Sequence, residues 1–204
     1  MAFEYIAGDV SLDLVNTVDW WLADGRRVEL LESFSDFLEW AAGAGILTAG
    51  RKQMLAALAR RRPREAKATL EQVWELREAI ARAAISAAAD GKIAPADLKA
   101  INRVLRRGES SRVLAHIDGR PAWTWQPLKP NLEEPLWVAA HAAAELLTSE
   151  KRARIGRCED EDCGWYFVDT SRNRSRRWCS MGSCGSRQKA RAYYTRRKQS
   201  GTEA

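Results

Sequence analysis

Four cysteines fall between positions 158 and 184 of a 204-residue chain, spaced Cys158-x4-Cys163, fifteen residues, then Cys179-x4-Cys184. Two short loops that each present two thiolates supply a tetrahedral set of soft ligands for one zinc ion, at about 2.3 Å, without distorting either loop. A tail of about fifty residues has little core of its own, so the metal would contribute most of its folding free energy. A pair of disulfides, which a reducing compartment disfavours, and iron in the same cage are the alternatives. The reading is one structural, tetrathiolate Zn2+ on Cys158, Cys163, Cys179 and Cys184.

The residues around the pairs suit that role. WYFV at 165–168 reads as a strand, DTSRNRS as a turn and RRWCS as the returning strand. Gly164 and Gly185, each directly after a cysteine, let the backbone turn sharply. From Arg187 to Lys198 no proline or glycine interrupts a predicted helix, and QSGTEA beyond it reads as disordered. Loop, hairpin and helix in that order predict a small treble-clef zinc finger.

Charge is segregated along the chain. Residues 1–150 hold 19 Lys/Arg and 21 Asp/Glu, a balance of −2, whereas residues 151–204 hold 14 and 6, a balance of +8. Four thiolates on one divalent zinc would lower the tail to about +6, which points to an anionic partner. The candidate contacts are Arg172, Arg174, Arg176 and Arg177 in the turn, and Arg187, Lys189, Arg191, Arg196, Arg197 and Lys198 on the helix. On that helix Arg187, Arg191, Tyr194 and Lys198 share a face. In the mechanism this suggests, Arg187, Arg191 and Lys198 reach phosphates or a groove edge while Arg174, Arg176 and Arg177 clamp the backbone alongside. The competing reading of these arginines is a solvated face, partly paired with Glu159, Asp160, Glu161 and Asp162.

The first 150 residues read as mostly helical. Apolar spacing predicts a helix from Ser11 to Leu22 ended by Asp24-Gly25. Ser33 with Asp36 reads as a cap for the next segment, closed by Gly43 and Gly45, and Thr48 caps another up to the arginines at 60–62. Pro63 suits the first turn of a long helix whose buried stripe is Leu70, Val73, Trp74, Leu76, Ile80 and Ile85. Pro95 opens a helix to about Gly108, a hairpin turns at Asp118-Gly119, and a last helix runs from about Glu133 to Thr148. The domain boundary is placed near residue 151, giving domains 1–150 and 151–204.

Trp40, Trp74 and Trp137 sit on apolar stripes and read as core. Trp123 and Trp125, two apart on one strand face, are candidate pocket residues, as is Asn16, for which a structural hydrogen bond is the preferred reading. His116 and His141 lie far apart, and no nucleophile, base and orienting acid fall at a known spacing, so no enzyme is expected. No apolar window approaches a membrane span and the N-terminus has no secretory pattern, so the expected location is the cytosol.

The stretches CEDEDCGWYFVD, SRNRSRRWCSM and CGSRQKARAYYTRRK resemble the CGNR zinc finger, and LDLVNTVDW with DFLEWAAGAGIL resembles the ABATE domain that precedes it in a family of bacterial proteins. The resemblance covers essentially the whole chain and implies a stress-responsive transcription regulator. Ser186 stands where the finger's signature has asparagine, which removes one of the amide's two hydrogen-bonding handles.

These strands combine into one expectation: an α+β protein with a mostly helical N-terminal domain that senses or regulates, carrying a β-hairpin, and a treble-clef finger that binds nucleic acid, foremost duplex DNA. A small molecule or a protein is the expected effector of the N-terminal domain, and no membrane is expected as a partner. The alternatives are a protein-interaction module and an RNA-binding protein, the latter using Tyr193 or Tyr194 to stack on an unpaired base.

Overall fold

The computed structural model describes residues 3–23 and 25–200, with side chains up to Arg197. Helix α1 (Val10–Val15) starts at Asp9, whose carboxylate accepts the Ser11 N–H. The expected continuation to Leu22 does not occur: the chain turns at Asn16 and Thr17, forms β1 (Val18–Asp19) and passes through Trp20 at φ +54°. The cause is tertiary. The Trp21 and Leu22 N–H groups donate to the carbonyls of Cys163 and Asp162 at 3.1 and 3.2 Å, so the tail takes donors that a helix would have used internally. Asp24, expected to help end that helix, lies outside the described residues.

Beyond β2 (Val28–Glu29), which pairs antiparallel with β1, the helices begin where their caps predict. Ser33 and Asp36 form a reciprocal capping box at α2 (Phe34–Gly43), and Thr48 caps α3 (Ala49–Arg61). Pro63 and Pro95 open α4 (Pro63–Ala88) and α5 (Pro95–Gly108). Strands β3 (Arg112–Ile117) and β4 (Arg120–Trp125) form a hairpin whose central residues, Asp118 and Gly119, both have positive φ, as a type I′ turn requires. Helix α6 (Glu134–Thr148) completes the body. Phe37 and Trp40 stack in the core, among Leu12, Val73, Leu76, Ile80 and Leu136. Ile85 departs from the expected stripe: it is 47% exposed, because the last turns of α4 run past the body core toward the tail.

In the tail, β5 (Ile155–Arg157) pairs with β6 (Tyr166–Val168), so the hairpin encloses the first cysteine pair. The segment RRWCS forms no strand. The second edge of β6 is already occupied: Asn16 holds the Tyr166 N–H and carbonyl at 2.8 and 2.9 Å, and the Ala7 carbonyl accepts the Val168 N–H at 2.7 Å. After Cys184 comes α7 (Ser186–Ser200), three residues longer than expected, one at its start and two at its end, so Gln199 and Ser200, read as disordered, are helical; residues 201–204 of that stretch lie outside the described residues.

Candidate metal centre and basic helix

Cys158 follows β5, Cys163 precedes the turn into β6, and Cys179 and Cys184 flank the N-terminal approach to α7. All four are buried, and their sulfurs lie within 4.8 Å of one another, with Cys163 to Cys179 at 3.7 Å and Cys179 to Cys184 at 3.5 Å. A tetrahedral zinc with bonds of about 2.3 Å separates its sulfurs by about 3.8 Å, so the donor set fits. The protonation pattern agrees. S–H donation from Cys163 and Cys179 holds the Cys158 thiol far below its usual range, to about 2, and the same pairing pushes Cys163 and then Cys179 up. Four thiolates this close together would repel one another, and a cation among them offsets that repulsion.

Two glycines earn their positions in different ways. Gly164 has φ +71°, and a Cβ there would lie 2.8 Å from Leu22. Gly185 has ordinary φ and closes the wide turn Met181–Gly185 by donating to the Ser180 carbonyl at 3.0 Å; a Cβ would meet the Met181 sulfur at 3.0 Å. Thus only the first glycine serves the sharp turn expected of both. Ser186 donates its hydroxyl to the Met181 carbonyl at 3.0 Å, a bond that bridges the turn and the start of α7.

This geometry has a sequence counterpart over its full length. Residues 8–150 match the ABATE family, described as "Putative stress-induced transcription regulator", and residues 154–197 match the CGNR zinc finger. The chain belongs to the ABATE family. No curated protein matches it. Its finger carries a structural Zn2+ site, and Cys158, Cys163, Cys179 and Cys184 are the residues that would hold the ion.

The ABATE region and the CGNR finger share a dense seam. Besides the contacts of Asn16 and Ala7, the Trp165 indole N–H donates to the Val18 carbonyl at 2.7 Å, and Ile155, Tyr166 and Val168 join the body core. Arg77, on the buried stripe of α4 and 2% exposed, fixes the turn before β1: it donates to Thr17 Oγ1 at 3.1 Å and to the Glu29 carboxylate at 2.7 Å. Arg77 did not stand out in sequence, where a charge on an apolar helical stripe was the available signal; the acidic partners below are those that the competing reading of the arginines named.

The ten basic candidates divide into two groups. Arg176 lies 4.3 Å over the Phe167 ring and donates to the carbonyls of Ile6, Trp178 and Cys179. Arg187 is held between the Trp20 ring, at 4.8 Å, the fully buried Asp160 carboxylate, at 2.9 Å, and Cys184 Sγ, at 3.0 Å. Burial opposes its charge, but Asp160 and Cys184 outweigh burial and raise its pKa. Arg191 pairs with Glu161 and with Asp162, which Arg26 also holds at 2.7 Å, and these two cations keep the Asp162 carboxyl below its usual range. Arg177 pairs with Glu159 at 2.6 Å. By contrast Arg172, Arg174, Lys189, Arg196 and Arg197 are exposed, and Lys198 belongs to α7 with its side chain outside the described residues.

The three pocket candidates are not brought together. Asn16 spends its amide on Tyr166. Trp123 is 60% exposed under the Arg112 guanidinium, whereas Trp125 packs on Trp137 and His141 and lines a cavity of 440 Å³ with Arg51 and Glu134. Among the described residues no helix is long and apolar enough to cross a membrane.

Proposed function

We propose that this protein is a non-enzymatic, cytoplasmic transcription regulator whose finger, residues 151–204, binds duplex DNA, with residues 1–150 as the regulating domain. The observation that carries this reading is α7. It is anchored at its first turn to the metal cage and to Asp160, yet residues 192–197 are all exposed, so a polar helix stands clear of the body. Such a helix is not stabilised by an apolar face and is suited to a nucleic-acid groove. Arg172, Arg174 and Lys189 contact phosphate, with Arg196, Arg197 and Lys198 further along α7. Arg176, Arg187 and Arg191 hold the helix at a fixed angle to the zinc loops, a role in positioning that complements contact by the exposed set.

The test is fluorescence anisotropy of the zinc-loaded protein with mixed-sequence duplex DNA across salt. A log-log slope of roughly −4 to −6 is expected, about −0.9 per neutralised phosphate. The triple change Arg172→Ala, Arg174→Ala, Lys189→Ala should weaken binding and flatten that slope by about 3 while leaving zinc content intact. Salt-independent binding rules out the phosphate mechanism, and preference for folded RNA at matched salt reassigns the nucleic acid.

One feature favours a second reading, a protein-docking role. Leu114 and Trp123 face each other across the β3–β4 hairpin at 64% and 60% exposure, an apolar pair left largely open beside the Arg112 guanidinium. Loss of a protein complex, with DNA retention unchanged, in Trp123→Ser would support it.

A further inference from the structure

Helices α2, α3 and α4 meet along a groove of 640 Å³ whose apolar lining is Phe34, Leu38, Ala56, Ala59, Leu70 and Trp74, with Arg60 and Lys67 on its rim. We infer that this groove is a docking surface for a protein partner, and that the partner presents an amphipathic helix with one apolar face flanked by carboxylates.

Charge identifies the partner. Residues 60–67 hold five Lys/Arg and one acid, Glu65, within a region whose balance over residues 1–150 is −2. Elsewhere in that region Arg27, Arg51, Arg77, Arg82, Arg103 and Arg107 each hold a carboxylate within 2.8 Å. At the α3–α4 junction Arg62 pairs with Glu65 at 3.3 Å, whereas Arg60, Arg61, Arg64 and Lys67 are exposed and have no ion pair among the described residues. Four uncompensated cations this close in sequence repel one another, and an acidic partner offsets that repulsion. Glu32 is the acid on the α2 wall of the groove, so the partner's carboxylates belong on the α3–α4 side.

Packing identifies the shape. A surface helix is ordinarily held by a continuous apolar face, yet Leu55 is the one residue that α3 buries. Ala56 and Ala59 stay partly open toward the groove, beside a Trp74 ring that is itself half-buried. The Trp74 indole N–H is spent on the Leu31 carbonyl at 3.1 Å, so the groove offers the ring and not the donor. Alanines let a second helix approach closely, and the 13 residues of α3 span about 20 Å, enough to lie along a partner helix of similar length. Duplex nucleic acid would use the cations but not the apolar lining, which favours a peptide. The groove lies within residues 32–74, so the docking surface stands whether or not the finger reads nucleic acid.

The test uses the full-length zinc-loaded protein with labelled alanine methyl groups and three synthetic peptides of about 15 residues: an amphipathic helix with leucines on one face and glutamates beside them, the same helix with glutamine for glutamate, and a scrambled peptide of the acidic composition. Saturable shifts are expected at Ala56 and Ala59 below about 1 mM peptide, with the core Ala139 and Ala143 unmoved. The glutamate helix should bind at least about fivefold more tightly than either control. Arg60→Gln combined with Lys67→Gln, both at exposed positions, should remove most of that advantage, and Ala59→Glu should abolish the shifts. Absence of saturable shifts, or their survival undiminished in Ala59→Glu, overturns the groove. Equal binding of the glutamate and glutamine helices overturns the acidic assignment, and equal binding of the scrambled peptide overturns the amphipathic one. Displacement of the peptide by mixed-sequence duplex DNA, with DNA affinity falling in the Arg60→Gln, Lys67→Gln variant, would reassign the patch to nucleic acid.

Discussion

The body and the finger bury their residues by different means. In the body, Phe37, Trp40, Leu76, Ile80 and Leu136 interlock across α2, α4 and α6, and burial of apolar area suffices to hold the helices together. The finger's own cluster is smaller: four cysteines with Trp165 and Phe167, supported by the partly buried Ile6, Trp21 and Trp178. Two of those three supports, Ile6 and Trp21, come from the N-terminal part of the chain. The finger is therefore held by metal, by arginine-carboxylate pairs and by the edge of the body, and each of these has its own sensitivity.

Metal removal should produce the largest difference between the two regions. A structural zinc is worth on the order of 10 kcal/mol of folding free energy in small domains. A chelator, or Cys179→Ser, is expected to unfold β5, β6 and α7 while the body helices persist, seen as a partial loss of far-UV circular dichroism with the core Trp40 still shielded from quencher. Simultaneous loss of the body would show that the seam makes the two regions one cooperative unit.

Arg187→Ala comes next, because it leaves the fully buried Asp160 carboxylate without its cation. Breaking a buried pair in this way costs about 3 kcal/mol, toward the low end of its range because Arg187 itself remains a third exposed. Faster transfer of zinc to a chromophoric chelator would register it, and an unchanged rate would show that Asp160 is satisfied by its backbone contacts alone.

Asn16→Ala removes both hydrogen bonds to the Tyr166 backbone from a site that is 3% exposed. A loss of about 2 kcal/mol is expected, measured as faster amide exchange at Tyr166 and Val168 relative to the α4 core. Equal acceleration in α4 would again argue for a single unit.

The smallest effect concerns Asp13, which accepts the Ala7 N–H at 3.0 Å and so supports the segment that meets β6. Burial raises its carboxyl pKa to about 6, against the Ala7 hydrogen bond, with the Asp9 charge adding to the rise. Because the folded value lies above the unfolded one, its stabilising contribution is complete below about pH 4 and is lost as pH rises through 6. A titration midpoint near 6 for the Asp13 carboxyl carbon, and a stability difference of about 1 kcal/mol across that window that Asp13→Asn removes, would confirm it. A midpoint near 4 would mean that water reaches the carboxylate.

Much of the architecture was legible in local chemistry. The Ser33–Asp36 box, the Thr48 cap, Pro63 and Pro95 at helix starts and the Asp118-Gly119 turn act within a few residues, so their spacing carries their meaning. The four cysteines were equally plain, since zinc ligation demands that spacing. What spacing could not show was which arginines the acidic knuckle would take: Arg187 and Arg191 looked like groove contacts, yet Asp160, Glu161 and Asp162 fold back onto them.

The sequence by itself determined the helix starts, the metal and the charge of the tail, because each depends on residue types at short range. Only the tertiary structure decided that α1 stops at Val15, that β6 pairs with β5 instead of RRWCS, and that Asn16 belongs to the seam. The hydrogen bonds behind these choices, at Trp21, Tyr166 and the outer edge of β6 at Val168, join groups more than a hundred residues apart, and no local periodicity records them.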